Sequence, residues 1–146
     1  MKLLATVAAV SLLAAGQDLK GVFDIHAHCD PDGMARSIDA LDLGKLAQAA
    51  GMRGLLLKNH YESTAGLAYL VRKETPGLEV FGGIALNLPV GGVNPAAVEW
   101  MTKVKGGYGR VVWMPTYDSQ HHVTSQRESR PFVPISRDGK LLPQVV

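Results

Sequence analysis

Arg53-Gly54-Leu55-Leu56-Leu57 is the stretch on which the fold turns. Three consecutive leucines lack the in–out alternation of a strand that faces water on one side. They read as a short strand covered on both faces, the kind that parallel sheets contain. Upstream, residues 38–50 carry Leu43, Leu46, Ala47 and Ala50 at the i, i+3, i+4, i+7 spacing of one helical face, and Gly51 is placed to cap the helix end. Downstream, Ser63 or Thr64 caps a second helix bearing Leu67, Leu70 and Val71. The alternation continues outward in both directions. Gly21–Ile25 and Leu78–Ile84 read as strands, and so does Arg110–Met114. Asn94-Pro95 supplies an N-cap followed by proline at the first helical position, ahead of a helix carrying Ala97, Trp100, Met101 and Val104.

The resulting order is βαβαβαβ, an α/β chain of parallel (βα) units. Four such units make the N-terminal half of a TIM-type (β/α)8 barrel, which typically needs about 250 residues. The 146 residues are therefore expected to be an N-terminal fragment of such a barrel, truncated at the C-terminus; the alternative is a complete small open-sheet protein. Past Met114, residues 116–131 are polar and without periodicity, and read as a long loop. Asp138-Gly139, between Phe132–Ile135 and Leu141-Leu142, is a hairpin signal.

Composition narrows the function classes. Hydrophobic residues are 47% and charged residues 19%, enough apolar material for a core. Fifteen Lys and Arg against thirteen Asp and Glu leave a net charge of +2, which gives no reason to expect nucleic acid or an anionic membrane as partner. A single cysteine excludes both an intrachain disulfide framework and a multi-cysteine zinc site. At the N-terminus, Lys2, an apolar run over residues 3–15 and the small residues Ala15 and Gly16 form a secretory signal pattern. The expected division is a signal peptide over 1–16 and a barrel domain over 17–146, with the mature chain periplasmic or secreted. The run is short of the ~20 apolar residues a membrane span needs, so no anchor is expected after cleavage. A buried N-terminal helix is the competing reading.

All five histidines follow strands. His26 and His28 lie in Asp24-Ile-His-Ala-His28, His60 in Leu57-Lys-Asn-His60, and His121-His122 after the fourth strand. Alternate residues of an extended strand point to the same side, so the His26 and His28 imidazoles converge, with Asp24 at the same parity to orient or assist. In parallel α/β folds the carboxyl ends of the strands share one rim, where ligands bind. Three segments thus bring every histidine to one face. Two converging imidazoles suit a divalent cation such as Zn²⁺, which accepts imidazole nitrogen at ~2.0–2.1 Å. Asp24, His26, His28, His60, His121 and His122 are the metal candidates. Any one histidine alone reads more plainly as structural.

Blander readings suit other residues. Asp30 and Asp32 flank Pro31 as a turn, with Asp32 near enough to contact substrate. Cys29 should point away from the histidine side as a half-buried thiol. Gly82-Gly83 and Gly91-Gly92 match no phosphate-binding pattern and read as loop geometry.

The segments Phe23-Asp-Ile-His-Ala-His-Cys-Asp-Pro-Asp32, Ala50-Gly-Met-Arg-Gly-Leu-Leu-Leu-Lys-Asn-His-Tyr61 and Val111-Val-Trp-Met-Pro-Thr-Tyr-Asp118 together resemble a branch of amidohydrolase-like bacterial proteins in the amidohydrolase superfamily. The resemblance spans about residues 20–146. It implies that His26 and His28 bind a divalent metal, with Zn the leading candidate, and that the chain is a metal-dependent hydrolase. It also implies further ligands: a carboxylated lysine or a glutamate on the fourth strand, two later histidines, and an aspartate on the eighth strand. The chain departs from that pattern. It has no lysine at the fourth strand's end, carries Lys58 at the second, and stops before the later ligands.

The chemistry so implied is attack by a metal-activated water on a C–N or C–O bond of a small-molecule substrate. His60, His121 or His122 would ligate or stabilise the oxyanion, and Lys58 would bind an anionic substrate group. Lys58 and His60 are the catalytic candidates. Two alternatives stand beside this reading. One is a phosphoesterase of the polymerase-and-histidinol-phosphatase type, which also opens with a His-x-His strand. The other is a non-catalytic metal-binding fragment. Association of two copies would cover the open edge strands of a half barrel.

Overall fold

The computed structural model describes residues 18–146, so the signal-peptide reading of 1–16 lies outside the described residues. The elements run β1 (Phe23–Ala27), α1 (Ala40–Ala49), β2 (Gly54–Leu57), α2 (Ala65–Glu74), β3 (Glu79–Ala85), α3 (Pro95–Lys103), β4 (Gly109–Trp113), α4 (Gln120–Ser125), β5 (Ser136–Arg137) and β6 (Lys140–Leu141). The four long strands form one sheet in the order β1-β2-β3-β4, every pair parallel. Each parallel neighbour is reached through a helix, as the alternating pattern requires. β5 and β6 form the separate hairpin expected at Asp138-Gly139. Those two residues have φ of 50° and 74°, the left-handed pair that a tight two-residue hairpin turn needs.

The core lies between the sheet and its helices. Leu55 and Leu57 of β2 and Val80 of β3 pack with Ala40, Ala47, Ala68 and Val71 of α1 and α2. Ala65, Ile84, Leu86 and Met101 make a second cluster under α3. The helical faces differ from those expected. Leu46, Leu70 and Trp100 are 61%, 54% and 68% exposed, while α1 buries Ala40, Gly44 and Ala47. In α1 the cause is close approach of backbone to neighbour. A Cβ on Gly44 would sit 2.5 Å from Val71 Cγ1, so only small residues fit on that side and the large ones turn outward.

β2 is buried along its whole length, as expected of a strand covered on both faces, but the two faces are covered by different means. Leu56 is buried yet belongs to neither core cluster. It lines a cleft on the sheet's other side with Phe23, Ile25, Phe81, Arg110 and Val111. Phe23 and Phe81 stack at 6.1 Å between ring centroids and help to shield it, while Ile25 is 72% exposed. The helices thus cover one side of the sheet, and the other keeps an apolar surface.

Three local readings change as well. The expected loop over 116–131 contains α4, which starts where the Ser119 hydroxyl accepts from the His122 N–H at 3.2 Å. Its sequence is polar, so no apolar period announced it. The loop reading of Gly82-Gly83 gives way to the strand reading of Leu78–Ile84, since both glycines lie within β3. A Cβ on Gly82 would strike the Thr64 carbonyl, and one on Gly83 would strike the Trp113 ring. Thr64 stands at the start of α2, but its hydroxyl does not cap that helix. It donates to Leu57 O at 2.7 Å and accepts from the Gly83 N–H at 2.9 Å, while the Thr64 N–H donates to Gly83 O at 2.9 Å.

Candidate functional site

The C-terminal ends of β1, β2 and β4 meet at one rim, and the site is built there. β1 departs from regular pairing between Asp24 and Ala27. Asp24 Oδ1 accepts from the His26 backbone N–H at 2.8 Å, so this carboxylate is engaged with the strand itself. Just beyond, His26 Nε2 and His28 Nε2 lie 3.1 Å apart. Two nitrogens bound to one tetrahedral ion at ~2.0–2.1 Å would sit about 3.3–3.4 Å apart, so the pair has the spacing of two adjacent ligands. The same spacing serves a hydrogen bond between opposite tautomers.

His60 extends the row. Its ring stacks on His28 at 4.9 Å and 26°, and meets Tyr117 edge-on at 4.3 Å; Tyr117 in turn meets His122 at 5.1 Å. Five rings (His26, His28, His60, Tyr117 and His122) therefore run across the rim. Asn87, fully buried after β3, holds the row from below. Its amide nitrogen donates to His60 O at 2.7 Å and to Thr116 Oγ1 at 2.8 Å, and its oxygen accepts from the N–H groups of Thr116 and Asp118. Thr116 Oγ1 is hydrogen-bonded to His60 Nδ1 at 2.9 Å, which fixes that ring's orientation and leaves its other nitrogen for a ligand.

Behind the imidazoles lies a charged corner. Arg36 Nε donates to Asp32 Oδ2 at 2.7 Å, and the Asp32 side chain is wholly buried. Lys58 is only 3% exposed, with Nζ over the Trp113 ring at 5.4 Å. Among the described residues its ammonium has no hydrogen-bond or ion-pair partner. Burial, then the nearby Arg36 charge, pulls its pKa below the ordinary lysine value. Burial likewise lowers the pKa of His28, with Arg36 and Lys58 adding to it, and brings that of His60 to about 4. Both rings are neutral at pH 7, the form that ligates metal or accepts a proton. Four buried side-chain polar atoms, His28 Nδ1, Asp32 Oδ1, Arg36 Nη2 and Asn59 Oδ1, have no well-oriented hydrogen-bond partner among the described residues. Asn59 donates to Pro31 O at 2.7 Å, so all four adjoin the loop after β1.

The candidate residues thus separate into groups. His26 and His28 come together, and His60 stacks against His28. His60, His121 and His122 line one cleft with Thr116 and Tyr117. His121 is exposed, and Asp24 turns to its own backbone. No group of three His, Cys, Asp or Glu side chains among the described residues is arranged to hold one ion. His26 and His28 fit a metal as two donors, and a third protein donor is not yet in place beside them. Cys29, expected half-buried, is completely buried, and its thiol is pushed up to about 11, chiefly by burial and then by Asp32. It is an inert core thiol. Asn87, Thr116 and Tyr117 had no sequence signal, because each acts through a partner distant in the chain, and Arg36 had none because it pairs with Asp32 across an irregular loop. Lys58 shares parity with Leu56, and that alternation was the one available sign of its direction.

Residues 21–146 match the model of a protein family described as a family of unknown function (DUF6282), and the chain belongs to that family. No curated protein and no solved structure matches the chain.

Proposed function

We propose that the chain is a metal-dependent hydrolase of amidohydrolase type, in which the four (βα) units form the N-terminal half of a (β/α)8 barrel. The observation that carries this reading is the 3.1 Å approach of His26 Nε2 to His28 Nε2 at a strand's carboxyl end, with neutral His60 stacked beside them. A divalent ion such as Zn²⁺, when bound, lowers the pKa of its water from 15.7 toward ~7 and so supplies hydroxide at neutral pH. This chain's residues have separate tasks. His26 and His28 hold the ion. His60, fixed through Nδ1 by Thr116, presents its other nitrogen to the reacting group. Lys58 stands ready for a negative charge on the substrate. His121 and His122 border the cleft through which a small molecule reaches His60. Export through the N-terminal segment, and association of two copies over the bare side of the sheet, belong to the same reading.

Metal content tests it. The His26→Ala/His28→Ala double variant of the full chain should lose its divalent metal after dialysis, read by plasma mass spectrometry, with an unchanged circular-dichroism spectrum. Full metal retention in that variant would sink the hydrolase reading.

A further inference from the structure

Lys58 poses a problem that the metal pair does not solve. A lysine 3% exposed normally has a carboxylate or several acceptors around its ammonium, because an unpaired buried charge is costly. Here the nearby buried carboxylate, Asp32, is committed to Arg36 through Nε at 2.7 Å and Nη2 at 2.5 Å. Arg36 and Asp32 cancel, so the corner retains the charge of Lys58. His28 and His60 are neutral and supply no counter-charge. The Trp113 face, 5.4 Å from Nζ, offers a cation–π contact, which is weaker than a hydrogen-bonded carboxylate pair. Among the described residues, the one carboxylate near Lys58 is already balanced by Arg36.

The position of Lys58 indicates where a counter-charge comes from. Lys58 follows β2 directly, and its backbone N–H donates to Ala27 O at 2.9 Å, which ties it to the segment between His26 and His28. Trp113, the ring beneath Nζ, is also 6.3 Å from the His26 ring. The ammonium therefore stands next to the imidazole pair, at a distance that one small molecule spans.

We propose that Lys58 is the receptor for a carboxylate on a small-molecule substrate, with the Arg36–Asp32 pair holding the neighbouring loop in place. The unbalanced charge is single, so a monoanionic carboxylate matches it better than a phosphate dianion. The substrate class is then a carboxylate-bearing molecule whose scissile bond lies within reach of His26, His28 and His60. Only the words "substrate" and "scissile" rest on the hydrolase reading. The anion subsite itself needs no metal, and its test is run without one.

Trp113 is the reporter. Trp100 lies exposed on α3, so Trp100→Phe leaves Trp113 as the sole indole without touching the site. Full-length protein with this background, freed of metal on a chelating resin, is titrated with benzoate, with the uncharged isostere benzamide and with inorganic phosphate. Benzoate should give a saturable change in Trp113 emission, and benzamide and phosphate should bind more weakly. Lys58→Gln and Lys58→Met should raise the benzoate Kd about 10–100-fold, the range expected for losing a hydrogen bond to a charged group. Benzamide binding as tightly as benzoate in the protein with Lys58 intact would overturn the proposal whether or not the variants fold. So would phosphate binding more tightly than benzoate, no saturable response to benzoate, or an unchanged Kd in a folded Lys58 variant. Metal uptake by Lys58→Gln, measured separately, distinguishes loss of the subsite from loss of the metal pair.

Discussion

The two sides of the sheet are held by different forces. On the helix side, Leu55, Leu57 and Val80 interlock with alanines and valine from α1 and α2, and every one of them is buried. On the other side, Phe23, Ile25, Leu56, Phe81 and Val111 line an open cleft, and cohesion is concentrated at the rim, where Asn87, Thr116 and His60 bond to one another. One side is apolar and close-packed, and the other is apolar but open, with a polar edge. Both sides read as hydrophobic in the sequence, so a residue's apolarity says little about which side stabilises the fold. Contact with a helix decides it.

Leu57→Ala should have the largest effect on stability. Leu57 is completely enclosed, and its truncation should cost about 2–5 kcal/mol in urea unfolding, the range for a leucine deleted from a packed core. A loss below the lower bound would mean that the helix side is not the main source of stability.

The rim responds to pH instead. His60 has a folded pKa of about 4 against 6.5 unfolded, so below 6.5 the unfolded chain binds the proton more readily. Stability of the metal-free protein should fall as pH drops through 6.5 and level off near 4, by at most about 3 kcal/mol for this group. His60→Gln should flatten that slope. A slope unchanged by the substitution would place the titrating group elsewhere.

The smallest effect belongs to the open side. Ile25→Ser, at a residue 72% exposed, should change stability by no more than about 0.5 kcal/mol and should reduce self-association measured by sedimentation. A core-sized loss would show that this side is covered in solution.

The element order was legible because glycine, proline and capping residues punctuate it: Gly51 ends α1, Asn94-Pro95 opens α3, and Asp138-Gly139 turns the hairpin. The helical faces were misread at Leu46, Leu70 and Trp100; in α1 the reason is that a hydrophobic period favours bulky residues while close packing at Gly44 admits only small ones. The approach of His26 to His28 followed from strand parity. The irregularity of β1 that separates Asp24 from them did not, because it depends on pairing with β2. The charged corner was hidden for a similar reason: Arg36 reaches Asp32 through a loop whose path no local pattern encodes.

The bonds of Thr64 bear on the order of assembly. They join residues 57, 64 and 83, so β2, α2 and β3 close a hydrogen-bonded ring within a short span of chain. The Thr64 bonds span 7 and 19 residues, whereas paired positions of neighbouring strands lie 25 to 31 residues apart, so closing these bonds sacrifices less chain entropy than pairing any two strands. The central unit is thus suited to act as the nucleus on which the edge strands condense. Thr64→Val, which keeps the shape and removes the hydroxyl, should slow refolding more than it speeds unfolding in stopped-flow measurements.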